Sequence, residues 1–169
     1  MLCLSERGSF SLSYCTFIAT NCELPEVKGN ETYITVREAI ARNMTAHEFL
    51  PWEDMDPEAQ LLVIENEEDL YELTITEGTY YDVSDYTKQP FIYELSFRYT
   101  AERVQQLFDY IKAHQQSGQV IELQQVWLDE YDVPTTTLHA DDLTLAHLQQ
   151  LYDDAHEQHA PVYRLIIEK

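Results

Sequence analysis

A chain of 169 residues with 44% apolar content is long enough to fold as one domain with a sizeable core. Its 31 Asp and Glu against 10 Lys and Arg give a formal charge of −21 at pH 7. This composition excludes nucleic acid and anionic membranes as expected partners, because both require a positively charged footprint on the protein.

The acidic residues are concentrated in two long segments. Thirteen Asp and Glu and no Lys or Arg lie between Asn43 and Thr87. Nine acidic residues, again without Lys or Arg, lie between Ala113 and Tyr163. Net charge acts on solubility and association rather than on fold. The acidity therefore indicates either a solubilising surface or a surface that docks a basic protein or mimics nucleic acid.

No targeting segment or membrane-spanning helix is predicted. The first ten residues, MLCLSERGSF, contain an apolar run too short for a signal peptide, and Glu6 and Arg7 interrupt it. No stretch approaches the roughly 18 uninterrupted apolar residues that a spanning helix requires. We therefore expect a cytoplasmic protein.

The N-terminal segment, residues 1–88, predicts an irregular β-α-β-β order. A strand is expected at 12–19, followed by a turn. Thr35 and Glu38 match a capping box, in which each side chain satisfies a backbone donor of the other residue, so a short helix to about Arg42 is expected. LLVIEN and LYELTIT are expected to form strands, and EGTYYDVSDYTKQP is expected to be a connector.

The C-terminal segment, residues 90–169, predicts the order β-α-β-β-α-β. The period of two in PFIYELSFRY indicates a half-buried strand, and Thr100 can cap the helix that follows. Apolar spacing of i, i+3, i+4 and i+7 predicts that helix, with Gly118 as its expected stop, and a second helix around 148–155. Further strands are expected in VIELQQVWLDE, PTTTLH and APVYRLIIEK.

This order of elements is that of the ferredoxin-like unit, in which both helices lie on one face of an antiparallel sheet. The predicted fold class is α+β, with an antiparallel or mixed sheet, helices on one face and a ferredoxin-like C-terminal half. We expect a single domain over residues 1–169. The alternative is a chain of two halves, 1–88 and 90–169.

The cysteines and histidines predict no metal site and no cofactor. Three cysteines are an odd number, and structural zinc sites use close pairs such as C-x₂-C, whereas six residues separate Cys15 from Cys22. Cys15 is predicted to be a buried thiol within a strand. His156 and His159 share a helix face and are weak metal candidates, since a helix C-terminus favours histidine without any ligand.

Aromatic residues beside acidic residues are the clearest functional signal in the chain. Tyr and Trp often anchor protein interfaces, and acidic surroundings suit a basic partner. The competing interpretation is that these aromatic rings pack over a sheet edge. The candidate surface residues fall in three segments: Trp52, Glu53, Asp54 and Asp56; Tyr80, Tyr81, Asp82 and Asp85; and Asp129, Glu130 and Tyr131.

The leading hypothesis is a small non-enzymatic interaction protein, an immunity or regulatory module that binds a basic protein. One alternative is a small enzyme with carboxylate or histidine chemistry in a cleft between the halves, using His139, Asp141 and Asp129. The other alternative is a homo-oligomeric structural module, in which strand 91–97 or strand 162–168 pairs across a dimer.

Overall fold

A computed structural model describes most of the chain: residues 14–30, 32–46, 51–63, 72–157 and 162–169, apart from the side chains of residues 53 and 154–157. Eight strands and three α helices lie within these residues. In chain order they are β1 (Tyr14–Thr20), β2 (Thr32–Thr35), α1 (Val36–Ala41), a 3₁₀ turn (Trp52–Asp54), β3 (Gln60–Val63), β4 (Thr74–Glu77), β5 (Phe91–Ser96), α2 (Ala101–His114), β6 (Val120–Trp127), β7 (Thr135–His139), α3 (Leu145–Glu157) and β8 (Tyr163–Glu168).

Six strands form one sheet with the order β4-β5-β1-β6-β8-β7, and β2 pairs with β3 in a separate two-stranded sheet. All neighbours in the large sheet are antiparallel except β7 and β8, which are parallel. Because β5 and β6 both run antiparallel to β1, they are parallel to each other with β1 between them. The predicted mixed α and β structure with a mostly antiparallel sheet is confirmed.

A ferredoxin-like C-terminal half is not confirmed, although its elements follow one another along the chain in the predicted order. β1, from the N-terminal segment, lies between β5 and β6, and β8 lies between β6 and β7. Periodicity reports which residues face a core, but it does not report which strand lies beside which. The prediction of one domain over 1–169, and its alternative of two halves, stay predictions.

The two strands expected to pair across a dimer are both interior strands. β5 has β4 and β1 as neighbours, and β8 has β6 and β7. Each strand has a neighbour on both sides, and β5 is without β1 only at Leu95 and Ser96, so neither strand is a free edge of the kind that intermolecular pairing requires. The prediction of oligomer formation through these strands is wrong, and an oligomeric state of another kind stays a prediction.

Helices α2 and α3 cover one face of the large sheet. α2 is capped as predicted: the Thr100 hydroxyl accepts a hydrogen bond of 3.2 Å from the Arg103 N–H. The helix ends at His114 rather than at Gly118, whose φ of +76° lies in the turn before β6. The helices and the inward side of the sheet share one core cluster, which includes Ile18, Ile75, Leu95, Leu107, Ile111, Leu123, Leu148, Leu165 and Ile167.

The opposite face of the sheet is covered by the segment between β4 and β5, residues 78–90, which we call the connector. Val83 and Tyr86 of the connector pack in a second core cluster with Cys15 and Phe17 of β1. Cys15 is buried, as predicted. The sheet therefore has one face covered by helices and one face covered mainly by a loop.

Candidate binding surface and cavity

The connector is held on the sheet by a network of polar side chains. Arg164 on β8 donates from Nε to Gln124 Oε1 at 3.0 Å and from Nη2 to the Tyr86 carbonyl oxygen at 2.8 Å. Gln124 on β6 donates to the same carbonyl at 3.2 Å and to Glu122 at 2.6 Å. Gln89 donates to the other oxygen of Glu122 at 3.0 Å. The sheet thus supplies hydrogen bonds that a loop backbone cannot make with itself.

Tyr86 joins the connector to the loop that follows β6. Its hydroxyl accepts a hydrogen bond from the Asp129 N–H at 2.7 Å and donates to the Trp127 carbonyl oxygen at 3.2 Å. Its ring stacks on Tyr131 with centroids 5.5 Å apart and an interplanar angle of 13°. Burial raises the pKa of Tyr86, and the charges of Asp129 and Asp85 raise it further. The hydroxyl therefore stays protonated near neutral pH and keeps both hydrogen bonds.

Two of the three predicted surface segments come together through Tyr86, although more than forty residues separate them along the chain. The Asp and Glu side chains of both segments are exposed, and so are two of the tyrosines, Tyr80 at 85% and Tyr131 at 63%. We call this set the acidic–aromatic surface. It consists of Tyr80, Tyr81, Asp82, Asp85, Asp129, Glu130 and Tyr131.

The third predicted segment lies beside the small sheet. Trp52 is half-buried in the 3₁₀ turn, Asp54 is exposed, and the side chain of Glu53 lies outside the described residues. Asp56 accepts a hydrogen bond of 2.9 Å from the Glu58 N–H in a local turn. Among the described residues, no hydrogen bond or ion pair joins this segment to the acidic–aromatic surface, and its part in binding stays a prediction.

The residues predicted for an enzymatic cleft are not brought together. His139 Nδ1 lies 3.7 Å from Asp141 Oδ2, and both side chains are exposed. His139 pairs with Glu168 at the end of β8, while Asp129 follows Trp127 at the other end of the sheet. At about 3.3 Å per residue, the seven steps along β6 separate the two ends by about 20 Å. The prediction that these three residues converge is wrong.

A cavity opens where β5 leaves β1. The pairing of β1 with β5 ends at Phe17 and Glu94, whereas β1 stays paired with β6 as far as Tyr14, and β5 stays paired with β4 as far as Ser96. The gap between the two diverging strands has a volume of about 430 Å³. It lies at the carboxyl ends of β5 and β6, beside the first residues of β1.

The walls of the cavity are mainly aromatic. They include Tyr14, Tyr80, Tyr81, Tyr99, Tyr152 and Phe97. Glu94 is the one charged side chain among the described residues that line it. Nothing in the local sequence indicated this site, because its rings come from β1, the connector, the end of β5 and α3. The high tyrosine content, 12 residues in the chain, was the single available signal.

The cavity also contains two polar groups without catalytic character. Burial raises the pKa of the Cys15 thiol to about 11, and the charge of Glu94 adds to the effect, so the thiol is protonated at neutral pH and is a poor nucleophile. The hydroxyls of Tyr152 and Tyr163 are both buried, the two ring centroids lie 5.8 Å apart, and each hydroxyl influences the pKa of the other. Burial raises the pKa of both tyrosines.

Metal ligands are also not clustered in the described part of the chain, where no three His, Cys, Asp or Glu side chains converge. The candidates His156 and His159 lie outside the residues whose side chains are described.

Comparison with protein-family models, with curated proteins and with solved structures finds no match. Within the described residues, no helix has the length and apolar character required to cross a membrane. The interpretation of the site therefore rests on its chemistry.

Proposed function

We propose that this protein is a non-enzymatic interaction module of the cytoplasm, of the immunity or regulatory kind, that binds a basic protein through the acidic–aromatic surface. The observation that carries the proposal is the contact of Tyr86 with Asp129 and Tyr131. This contact combines two acidic segments, remote in the chain, into one patch that also presents exposed tyrosines.

The chemistry of the patch suits a basic partner. Exposed tyrosines such as Tyr80 and Tyr131 provide the rigid amphipathic rings that are enriched at interface hot spots. Surrounding carboxylates steer a cationic protein toward the patch and select against anionic ones. Arg164 directs its guanidinium toward Gln124 and Tyr86, so it holds the loop from beneath. Lys88 of the connector, which donates to the Ser84 carbonyl oxygen at 3.1 Å, places one positive charge beside the carboxylates, which still outnumber it.

The proposal is tested by an NMR titration with deca-lysine, used as a defined basic probe. We expect the largest amide shift changes at residues 80–85 and 129–131, with binding that weakens as salt is added, because salt screens exposed charges. The variant D82N/D85N/D129N should bind about tenfold more weakly, since three carboxylates that attract the probe are lost from one patch.

A second triple variant, D109N/D141N/D142N, is the matched control because it removes the same charge from other exposed positions. The Asn substitutions are conservative: the amide oxygen of an Asn that replaces Asp82 can still accept the 3.0 Å hydrogen bond from the Ser84 N–H, and Asn tolerates the φ of +74° at position 129. Equal weakening by both triple variants would mean that the probe responds to net charge alone, and it would contradict the proposal.

A further inference from the structure

We propose that the cavity between β1 and β5 binds an organic cation, an alkylammonium or guanidinium group, in an aromatic cage closed by one carboxylate. This goes beyond the proposed function, because a caged cation is recognised by rings and by Glu94 and does not require the exposed carboxylates of the acidic–aromatic surface. The two sites are adjacent and share Tyr80 and Tyr81.

The tyrosine rings that line the cavity are arranged in a way that favours a bound cation. The faces of tyrosine rings carry partial negative charge and attract a cation within about 6 Å. Tyr80 and Tyr81 pack edge to face, with centroids 4.9 Å apart and ring planes at 87°, so the faces of the two rings point in different directions. Tyr99 stands in the wall formed by the end of β5, and its hydroxyl is hydrogen-bonded to Asp153. Rings at an angle to one another surround a compact cation better than parallel rings.

The charge of the lining residues also favours a cation. Glu94 is the one charged residue among the described lining residues, and no Lys, Arg or His is found among them. Its field reaches the interior, since it raises the pKa of the Cys15 thiol. A cation therefore gains both a carboxylate and the ring faces, whereas an anion meets repulsion from Glu94 and has no compensating charge.

Packing within the protein does not explain the exposed tyrosine ring at the mouth of the cavity. Tyr80 is 85% exposed, so burial of its ring contributes little to folding. The volume of about 430 Å³ falls within the range of small-molecule sites.

Choline and its uncharged isostere 3,3-dimethylbutan-1-ol provide the test, because they differ in the charge of one central atom. We expect saturable shift changes at Tyr14, Tyr80 and Glu94 in an NMR titration with choline, and binding of the isostere at least about tenfold weaker. Glu94→Gln and Tyr80→Leu should each weaken choline binding about threefold to fivefold, whereas Tyr80→Phe, which keeps the ring face, should bind as the unaltered protein does.

Two further measurements distinguish a free small cation from a cationic side chain of a protein, and distinguish this proposal from the proposed function. A short, otherwise uncharged peptide containing trimethyllysine would bind at least about tenfold more tightly than choline if the cation is a side chain of a protein. Similar binding of the two would identify a free small molecule. The variant D82N/D85N/D129N should leave choline binding unchanged, so failure of the acidic–aromatic surface and failure of the cage are distinguishable.

The proposal is overturned by any of three results. The first is binding of the isostere as tight as that of choline, which would show that the pocket recognises apolar groups without regard to charge. The second is a dissociation constant for choline that Glu94→Gln and Tyr80→Leu leave unchanged but that Tyr131→Ala, outside the cavity, raises. The third is the absence of saturable shift changes at the cavity residues with both choline and the peptide.

Discussion

The two faces of the large sheet are built on different principles. On one face, α2 and α3 bury apolar side chains at helical spacing, and Leu107 and Leu148 are fully buried there. On the other face, the connector is held by Arg164, Gln124 and the hydroxyl of Tyr86 in addition to its apolar contacts. The helix-covered face therefore supplies stability, while the loop-covered face displays exposed residues on a fixed backbone.

The difference has a simple physical origin. A helix satisfies its own backbone, so its contact with the sheet can be almost entirely apolar. A loop leaves its carbonyls and amides to be satisfied by neighbours, and here the Tyr86 carbonyl receives hydrogen bonds from two strands. Loops held in this way are common sites of binding because their remaining side chains are free to face a ligand.

The helix-covered face should show the largest loss of stability. Leu148→Ala removes a fully buried side chain from α3 and should lower the free energy of unfolding by about 2–5 kcal/mol, as measured by urea denaturation. Gln150→Ala, at an exposed position of the same helix, is the control and should change it by less than about 0.5 kcal/mol. Equal effects of the two substitutions would contradict the assignment of the core to this face.

Substitutions on the connector-covered face should lower the free energy of unfolding less, and their effect should be local to the connector. Arg164→Met leaves Gln124 Oε1 without this donor and removes one of the two donors to the Tyr86 carbonyl, so it should cost about 1–3 kcal/mol, with faster protease cleavage within residues 78–90. The matched substitution Arg37→Met removes an exposed ion pair with Glu58 of 2.6 Å and should cost no more than about 1 kcal/mol. Unchanged cleavage of the connector in Arg164→Met would show that apolar contacts alone hold it.

The smallest effect should be a pH dependence from Cys15. Its folded pKa, about 11, is raised above the ordinary 9.0, so its contribution is fully present below pH 9 and is lost as the pH rises toward 11. Between about pH 9 and 10, below the ordinary tyrosine pKa, stability should therefore decline with pH, and Cys15→Ala should decline less steeply. Identical slopes for the two proteins in urea denaturation would contradict a buried neutral thiol.

Local features of the fold were predictable and the assembly of distant segments was not. The capping box at Thr35 and Glu38 is confirmed, with the Thr35 N–H donating to Glu38 at 2.8 Å, because a few neighbouring residues suffice to encode it. β2 was missed, since it is four residues long and ends at the capping residue itself. The insertion of β1 between β5 and β6 depends on pairing between strands more than seventy residues apart.

The candidate site divides along the same line. The acidic and aromatic residues of 80–85 and 129–131 could be selected from composition, but their meeting through Tyr86 required the fold. The cavity could not be found, because Tyr14 and Tyr152 stand at opposite ends of the chain and neither has a distinctive neighbourhood in sequence. Spacing within one element predicts a helix face, but no spacing rule describes walls taken from four elements.

The most direct test of the account compares deca-lysine binding by the two triple variants with equal net charge. We expect D82N/D85N/D129N to bind about tenfold more weakly than the unaltered protein, while D109N/D141N/D142N changes the dissociation constant less than about twofold. Equal dissociation constants for the two variants would show that the acidity acts only as bulk charge and would contradict the proposed binding surface.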